Sequence, residues 1–266
     1  MSERKRNVLV LSGLDPSGGA GIQADIQAIT AMGAHPLPVV TCLTIQDTHN
    51  VYGAEAVDSD LIRRQLECLA LDTPIDAIKT GALGNAAIVD VLLEFLSHQK
   101  RSVPLVVDPV IKAAGGGDLA DAELVEAMRE RLFAKATVIT PNGVELASLG
   151  ESNDPADAAR HLADHGCTAV LATGGHGEGD RIINRLYWRD ESRQEWELKR
   201  VGGEYHGSGC TLAAAISAAL AQGKPLPKAI EAAQDYVAGT IAHALEVGGG
   251  QPIPNRAWRW ENGEWR

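Results

Sequence analysis

The chain has 266 residues, of which 45% are hydrophobic, and it carries a formal net charge of −11 at pH 7. This length and apolar content suffice for one large core, so we expect residues 1–266 to form a single domain. The acidic balance argues against the basic surfaces that bind nucleic acid or anionic membranes. Because no apolar run reaches the roughly 18 residues of a membrane span and the N-terminus lacks a secretory signal, we expect a cytoplasmic protein.

The cysteines stand singly, without the close pairs that zinc sites and redox dithiols use. They are Cys42, Cys68, Cys167 and Cys210. We therefore expect free thiols.

Short apolar segments alternate with amphipathic segments along the chain. The apolar segments predict strands at residues 8–12, 39–45, 77–80, 105–110, 137–140 and 169–173. Helical spacing of apolar residues predicts helices around residues 22–29, 61–69, 88–95 and 124–132. This alternation predicts an α/β fold with a mainly parallel central sheet and helices on both faces, in which ligands bind at the carboxyl ends of the strands.

The loop after the first strand is rich in glycine and runs from Gly13 to Gly21. Its residues 19–24 match the dinucleotide fingerprint G-x-G-x-x-A, and Asp47 stands where a ribose-binding acid is expected. A nicotinamide dehydrogenase is therefore an alternative. Residues 13–18 argue against it, because they make the loop too long for the tight turn of that motif. A Walker A sequence is absent.

Polar side chains follow the second and third strands. Gln46 comes at the end of the second strand, which we expect to be central, and a buried amide there can read a heteroaromatic ring that carries nitrogen and amino groups. A loop cap is the alternative interpretation of Gln46. Lys79 closes the third strand, where we expect a surface lysine rather than a phosphate ligand.

Acidic residues follow the fourth and fifth strands. Asp108 ends one of them, and Asn142 with Glu145 follows the next. Carboxylates at neighbouring strand ends are suited to recruit Mg²⁺ through oxygen ligands and water. Asn142 and Glu145 also match a helix-capping arrangement, which is the alternative. The glycines after the sixth strand, Gly174 to Gly177, permit a nucleotide to approach or a tight turn to form.

The last third of the chain predicts an antiparallel hairpin within residues 182–199 at one edge of the sheet, followed by helices at 209–222 and 226–245. The helix predicted at 209–222 begins within the turn Gly207-Ser208-Gly209-Cys210. The free N–H groups of such a turn and the helix dipole hold a phosphate or an oxyanion. A thiol there can have a lowered pKa and serve as a base or orienting group. Alternatively, the glycines only shape a turn and Cys210 is a core residue.

Taken together and in this order, these motifs resemble the hydroxymethylpyrimidine/phosphomethylpyrimidine kinases of thiamine biosynthesis, members of the ribokinase-like superfamily. The segments that carry the resemblance are residues 17–25, 40–48, 79–81, 107–110, 140–145 and 206–211. The resemblance implies ATP and Mg²⁺ as cofactors, a small pyrimidine substrate that is phosphorylated twice, and a homodimer.

The resemblance also implies roles for individual residues. The catalytic anion hole would comprise Gly207, Ser208, Gly209 and Cys210. The pyrimidine would be bound by Gln46, with Gly13, Ala20, Asp25 and Thr44 near the same pocket. The nucleotide would be bound by Asn142, Thr173, Gly175 and Asp108, and the metal by Glu145 and Asp108.

Thr173 departs from the pattern, because many relatives carry a lysine there, and one phosphate contact is then missing or supplied by a hydroxyl. A pyridoxal or pyridoxine kinase is a second interpretation, since related folds accept a similar hydroxymethyl ring. A catalytically silent vitamin-binding protein is a third.

Overall fold

The computed structural model describes residues 4–112, 117, 119–175 and 179–261. Within them, nine strands form a single sheet. In chain order the strands are β1 (Asn7–Leu14), β2 (His35–Gln46), β3 (Val51–Ala56), β4 (Ala77–Thr80), β5 (Leu105–Val107), β6 (Val138–Ile139), β7 (Ala169–Ala172), β8 (Arg181–Trp188) and β9 (Arg193–Lys199).

The helices alternate with these strands. They are α1 (Gly21–Ala31), α2 (Ser59–Asp72), α3 (Ala86–Ser97), α4 (Ala122–Ala127), α5 (Gly143–Leu149), α6 (Pro155–Asp164), α7 (Ser208–Ala221), α8 (Leu226–Ala242) and α9 (Trp258–Glu261). A π-helical turn, Met128–Leu132, continues α4 and completes the helix predicted there. None of these helices, all within the described ranges, is long and apolar enough to cross a bilayer.

The sheet order is β3-β2-β1-β4-β5-β6-β7-β8-β9. The strands from β2 to β7 in this order pair in parallel, whereas β3 and the β8–β9 hairpin pair antiparallel at the two edges. The predicted α/β architecture with an edge hairpin is thus confirmed. The expectation that the second strand is central was wrong, because β4 to β9 all lie beyond β1 and leave β2 second in the order, with only β3 outside it.

Helices cover both faces of the sheet and create two hydrophobic clusters. Helices α2 to α6 pack on one face, and α1, α7 and α8 pack on the other. Strand β1 serves both, since Leu9 and Leu11 belong to one cluster and Val8 and Val10 to the other. Such two-sided burial produces the continuous apolar runs from which the strands were predicted.

The helices differ in how their N-termini are satisfied. Asp58, Asn85 and Asp121 cap α2, α3 and α4 with side-chain oxygens. In contrast, α1 follows Ala20 and α7 follows Gly207, and neither cap residue supplies a side-chain hydrogen bond. The first turns of α1 and α7 therefore have N–H groups that no side chain caps, and such groups can bind a ligand.

Candidate active site

The N-terminus of α7 is shaped by its glycines. Gly207 has φ +83°, and a Cβ atom added to it would collide with the carbonyl oxygen of Gly19. Gly209 is exposed, and a Cβ atom there would meet nothing within 4 Å. The turn thus packs its first glycine against the loop before α1 and presents its second glycine to open space. N–H groups at such a helix terminus attract anions.

The N-terminus of α1 lies beside that of α7. The Gly21 N–H group at the start of α1 lies near the Cys210 sulfur in the first turn of α7, so the two uncapped helix ends approach each other there. Burial first, and the Asp108 carboxylate second, raise the pKa of Cys210 to about 12. The lowered pKa expected from a helix N-terminus is therefore not found, because burial and the neighbouring carboxylate outweigh the helix dipole.

A buried ion pair lies beneath this sulfur. Lys79 and Asp25 have fully buried side chains, and the Lys79 Nζ atom lies 2.9 Å from Asp25 and 3.8 Å from Asp108. Burial opposes the charge of Lys79, but the carboxylates of Asp25 and Asp108 with the Cys210 sulfur raise its pKa. Lys79 is thus not the surface lysine that was expected, and Asp25 is fully buried as its partner. The sequence signal that could have indicated a buried Lys79 is its position within an apolar strand of the kind that is buried on both faces.

Two carboxylates stand next to this pair. Glu145 accepts a hydrogen bond from the Asn142 N–H at 2.9 Å, and the Asn142 side chain accepts from the Glu145 N–H, so a capping box begins α5. Burial and the nearby Asp108 carboxylate raise the pKa of Glu145 to about 8. The buried Asp108 Oδ2 atom has no hydrogen-bond partner.

This pair of carboxylates fits Mg²⁺. Two buried, mutually repelling carboxylates are stabilised by a divalent cation, and the unpartnered Asp108 oxygen supplies a ligand. No cluster of three or more potential ligands occurs among the described residues. That is compatible with Mg²⁺, which uses one or two carboxylates and completes its shell with water and substrate phosphates.

The end of β2 carries the residues predicted to bind substrate. The half-buried Gln46 donates from Nε2 to the Thr44 hydroxyl at 2.6 Å, and that hydroxyl donates to the Leu14 carbonyl at 2.8 Å. Gly13 packs against β2, since a Cβ atom there would lie 2.6 Å from the Cys42 sulfur. The structure therefore brings Gln46, Thr44 and Gly13 together, although Gln46 lies on the strand next to the edge rather than in a central one.

Asp47 forms a loop cap. It accepts hydrogen bonds from the N–H groups of His49 and Asn50 at 2.8 and 3.0 Å, and these bonds lower its pKa. The side chain thus closes the β2–β3 turn. This accounts for Asp47 without the ribose-binding role that the dehydrogenase alternative gave it.

The predicted nucleotide residues lie at the ends of β6 and β7. The Thr173 N–H donates to the Pro141 carbonyl at 3.0 Å, which pairs Thr173 with Asn142. Thr173 also borders a cavity of about 350 Å³ on the sheet face covered by α5 and α6. Gly175 closes the described part of this loop, and His176 and Gly177 lie outside the described residues.

Sequence reasoning missed a contact between the first loop and the turn before α7. The His206 Nε2 atom lies 2.8 Å from Asp15 Oδ2, and Asp15 also accepts from the Ser17 and Ala20 N–H groups. Burial acts to raise the pKa of Asp15, but the bonds from His206, Ser17 and Ala20 outweigh it and lower the pKa to about 2. Asp15 and His206 are 191 positions apart in the sequence, so no local motif indicates this contact.

Comparisons with known proteins identify relatives over nearly the whole chain. A family model described as phosphomethylpyrimidine kinase matches residues 15–255. The hydroxymethylpyrimidine/phosphomethylpyrimidine kinase of Streptomyces coelicolor is 36% identical over 258 residues, which cover 94% of each chain. The enzyme of the same name from Haemophilus influenzae is 33% identical and covers 96% of this chain and 97% of its own.

Solved structures share the fold. An ADP complex of Bacillus subtilis pyridoxal kinase superposes with a TM-score of 0.85 at 28% identity, covering 96% of this chain and 98% of the other. The phosphomethylpyrimidine kinase of Clostridium difficile superposes with a TM-score of 0.76 at 30% identity, covering 88% and 98%. The resemblance inferred from the motifs is confirmed, and the chain belongs to the phosphomethylpyrimidine kinase family.

Proposed function

We propose that this protein transfers the γ-phosphoryl group of ATP to 4-amino-5-hydroxymethyl-2-methylpyrimidine and then phosphorylates the product to the pyrophosphate, as in thiamine biosynthesis. One observation carries the proposal: the uncapped N-termini of α1 and α7 meet at Cys210, beside the carboxylates of Asp108 and Glu145. This geometry supports an anion site next to a pair of potential metal ligands, which is the arrangement that phosphoryl transfer needs.

The turn Gly207–Cys210 would hold the transferred phosphoryl group through its N–H groups. Phosphoryl transfer passes through a loose transition state, so positioning and charge neutralisation supply most of the rate. With a pKa of about 12, the Cys210 thiol is protonated near neutral pH. We therefore assign Cys210 the role of orienting the attacking oxygen rather than that of a general base.

Asp108 and Glu145 would hold Mg²⁺, which supplies charge neutralisation to the ATP phosphates. Asn142, Thr173 and Gly175, at neighbouring strand ends, would contact the nucleotide. Burial raises the pKa of Asp108, and the charge of Lys79, which sits between Asp25 and Asp108, opposes that rise.

The pyrimidine would lie against the end of β2. Gln46 can donate to and accept from a ring that carries adjacent nitrogen and amino groups, and Thr44 holds the Gln46 amide in place. Gly13 and Ala20 would form the adjoining wall. We assign Asp25 an indirect role, through its ion pair with Lys79.

The test is ATP consumption with Mg²⁺, with the pyrimidine and pyridoxal supplied separately and the products resolved by mass. Mono- and diphosphorylated pyrimidine are expected, and omission of Mg²⁺ should abolish both. Pyridoxal phosphate alone would transfer the assignment to vitamin B6 salvage, a second function that the TM-score of 0.85 with a pyridoxal kinase favours. If neither ring gives a product, a catalytically silent vitamin-binding protein is the remaining interpretation.

We also propose a cytoplasmic homodimer. All four cysteines are free thiols, which suits a reducing compartment. The predicted hairpin does not offer an apolar surface, because Trp188 and Trp196 pack on the molecule's own core. Instead Leu43, Ile45 and Tyr52 on β2 and β3 are 50%, 62% and 65% exposed, and this is the surface that we assign to the second copy.

A further inference from the structure

The segment that follows α8 touches the loops around the site. Three backbone hydrogen bonds fix it: Gln251 N–H to the Thr48 carbonyl at 2.9 Å, His206 N–H to the Pro252 carbonyl at 3.0 Å, and Asn255 N–H to the Thr240 carbonyl at 3.0 Å. The segment is therefore tied to the loop after β2, to the turn before α7 and to α8. No motif noted in the sequence lies in it.

Helix α8 anchors this segment on both sides of Arg256. The buried Tyr236 hydroxyl donates to the Arg256 carbonyl at 2.9 Å. The Trp258 ring stacks on His243 with centroids 4.8 Å apart and covers Gly239, where a Cβ atom would lie 2.5 Å from the ring. The backbone at Arg256 is thus held in one place relative to α8.

The Arg256 side chain points from this anchor into the contact between α1 and α7. Only 3% of the residue is exposed. Its guanidinium donates to the Gly19 carbonyl, to the Thr211 hydroxyl at 2.8 Å, to the Gln27 side chain at 3.3 Å, and to the Gly18 and Gly207 carbonyls at 3.5 Å. Gly18 and Gly19 precede α1, whereas Gly207 and Thr211 lie at the start of α7, so one planar group joins the two helix ends.

The guanidinium is suited to this task. Its donors form a rigid fork, so several acceptors are fixed relative to one another by one side chain. The carbonyl of the buried Gly19 would otherwise lack this donor, which costs free energy, whereas the Gly207 carbonyl also accepts from the Thr211 N–H at 3.0 Å and the Thr211 hydroxyl at 2.7 Å. A shift of either turn would break part of the fork, so Arg256 opposes any change in the spacing of the two helix N-termini.

We propose that Arg256 is a positioning residue for phosphoryl transfer: it fixes the N-termini of α1 and α7 so that their N–H groups converge on one phosphoryl group. The inference rests on the proposed function, because it takes this convergence as the place of transfer. Arg256 touches neither substrate in this arrangement and acts through the backbone of Gly19 and Gly207.

The first test replaces Arg256 by lysine, which keeps the charge and loses the fork. We expect kcat to fall about 100-fold with KM for the pyrimidine and for ATP within about threefold, because a misplacement of about 1 Å costs this much in rate. A kcat equal to that of the wild type would overturn the proposal. A wild-type protein without any ATP-dependent product would instead contradict the proposed function.

The second test asks whether the fork itself is needed. In Arg256→Ala, methylguanidinium at millimolar concentration should raise kcat at least tenfold and saturably, whereas methylammonium at the same concentration should not. Equal effects of both cations would show that charge alone matters and would overturn the positioning role. Thr211→Val, which removes the acceptor of Nε while nearly conserving shape, should lower kcat in the same sense but less, and unchanged kcat would count against the proposal.

Arg259 supplies the matched control. It belongs to the same segment, and its guanidinium stacks on the rings of Tyr236 and Trp258 at 5.9 and 5.2 Å from their centroids, away from the two turns. Arg259→Ala should lower the melting temperature without changing kcat. If Arg259→Ala and Arg256→Lys lower kcat equally, the segment acts only through stability, and the inference fails.

Discussion

Cys210 is a neutral side chain in the first turn of α7, close to the Asp108 carboxylate. The second phosphorylation adds a phosphoryl group to a substrate that already carries a phosphate, so a carboxylate at residue 210 would face a second anion. The thiol avoids this repulsion because its pKa is raised to about 12 by burial and by Asp108. The chemistry of one residue thus fits two substrates of different charge.

Replacing Cys210 separates these two steps. We expect Cys210→Ala to lower kcat of both steps about 100-fold with little change in pyrimidine affinity, since orientation is lost and binding is not. Cys210→Asp should slow the second step at least tenfold more than the first, because like charges repel in a buried site. Steady-state rates on hydroxymethylpyrimidine and on its monophosphate measure both effects. Equal losses in Cys210→Asp would remove the electrostatic argument.

The amide of Gln46 is expected to determine pyrimidine affinity. Gln46→Ala should raise Kd for the pyrimidine at least tenfold and leave Kd for ATP within about twofold, because a polar ring loses its paired hydrogen bonds. Thr44→Val is the matched variant, since it removes the 2.6 Å partner of the amide and the hydroxyl's bond to the Leu14 carbonyl but leaves the amide itself, and it should cost less. Calorimetry with each ligand measures these constants. A loss of ATP affinity as large as that of pyrimidine affinity would make Gln46 structural.

The sequence identified those residues that stand in local motifs, such as Cys210 beside its glycines and Glu145 with Asn142. It did not identify the partners that come from distant segments. Lys79 pairs with Asp25 across 54 residues, and Arg256 meets Gly19 across 237. Such contacts depend on how strands and helices are arranged in space, and local sequence motifs do not predict that arrangement.

No side chain caps the N-termini of α1 and α7, unlike those of α2 to α6, and the two glycines at the start of α7 have unequal roles. Gly207→Ala should lower the free energy of unfolding by more than about 2 kcal/mol, since φ +83° disfavours a side chain and the new Cβ atom collides with Gly19. Gly209→Ala should change stability by less than about 1 kcal/mol because its Cβ position is open.

The same pair of variants tests the anion hole. If the open space beside Gly209 receives the phosphoryl group, Gly209→Ala lowers kcat at least tenfold while the protein stays stable. Urea unfolding and initial rates, measured on the same preparations, make the comparison. Wild-type kcat in Gly209→Ala would place the phosphoryl group elsewhere.

The Asp15–His206 contact joins the loop before α1 to the turn before α7, and it has a defined pH dependence. The pKa of Asp15 is about 2 in the folded protein, below the value of about 3.9 in an unfolded chain. The ionised carboxylate therefore stabilises the fold above about pH 4, and this contribution is lost as the pH falls towards 2. Asp15→Asn should cost about 2 kcal/mol at pH 7 and much less at pH 2.5.

Asp76 is the control for this prediction. Burial acts to raise its pKa, but hydrogen bonds from Arg4, Asn7 and Arg101 outweigh it, so the pKa of Asp76 is also lowered to about 2. Asp76 stands at the amino end of β4, however, whereas the candidate site lies at the carboxyl ends of the strands. Urea unfolding at both pH values should show similar trends for Asp15→Asn and Asp76→Asn, whereas only Asp15→Asn should lower kcat. Equal kcat values in the two variants would disconnect the contact from the site.

At the scale of the whole molecule, the parallel sheet was predictable because strands buried on both faces give continuous apolar runs. The sequence indicated α5 only through its capping residues Asn142 and Glu145, and it did not predict α6. Strand β3 escaped prediction because its exposed residues lack an apolar pattern. It forms the edge of the sheet and pairs with β2, so β2, which carries Gln46, lies one strand inside that edge.

That edge is where we expect the second copy to bind. The wild-type protein should sediment as a dimer, and Ile45→Lys should produce monomers, because a charge buried in an apolar interface is unfavourable. Leu71→Lys is the control, since Leu71 is 91% exposed on α2 and should leave the dimer intact. A monomeric wild-type protein in sedimentation velocity would contradict the assignment.

The position of Arg256 in the chain has a consequence for synthesis. The ribosome makes all nine strands and the helices α1 to α8 before it reaches this residue. A nascent chain can therefore assemble the sheet and cover both of its faces while the two glycine turns still lack the guanidinium that joins them. Competence to handle ATP would then arise as a late and separate event, after the polypeptide already has the shape of the finished enzyme.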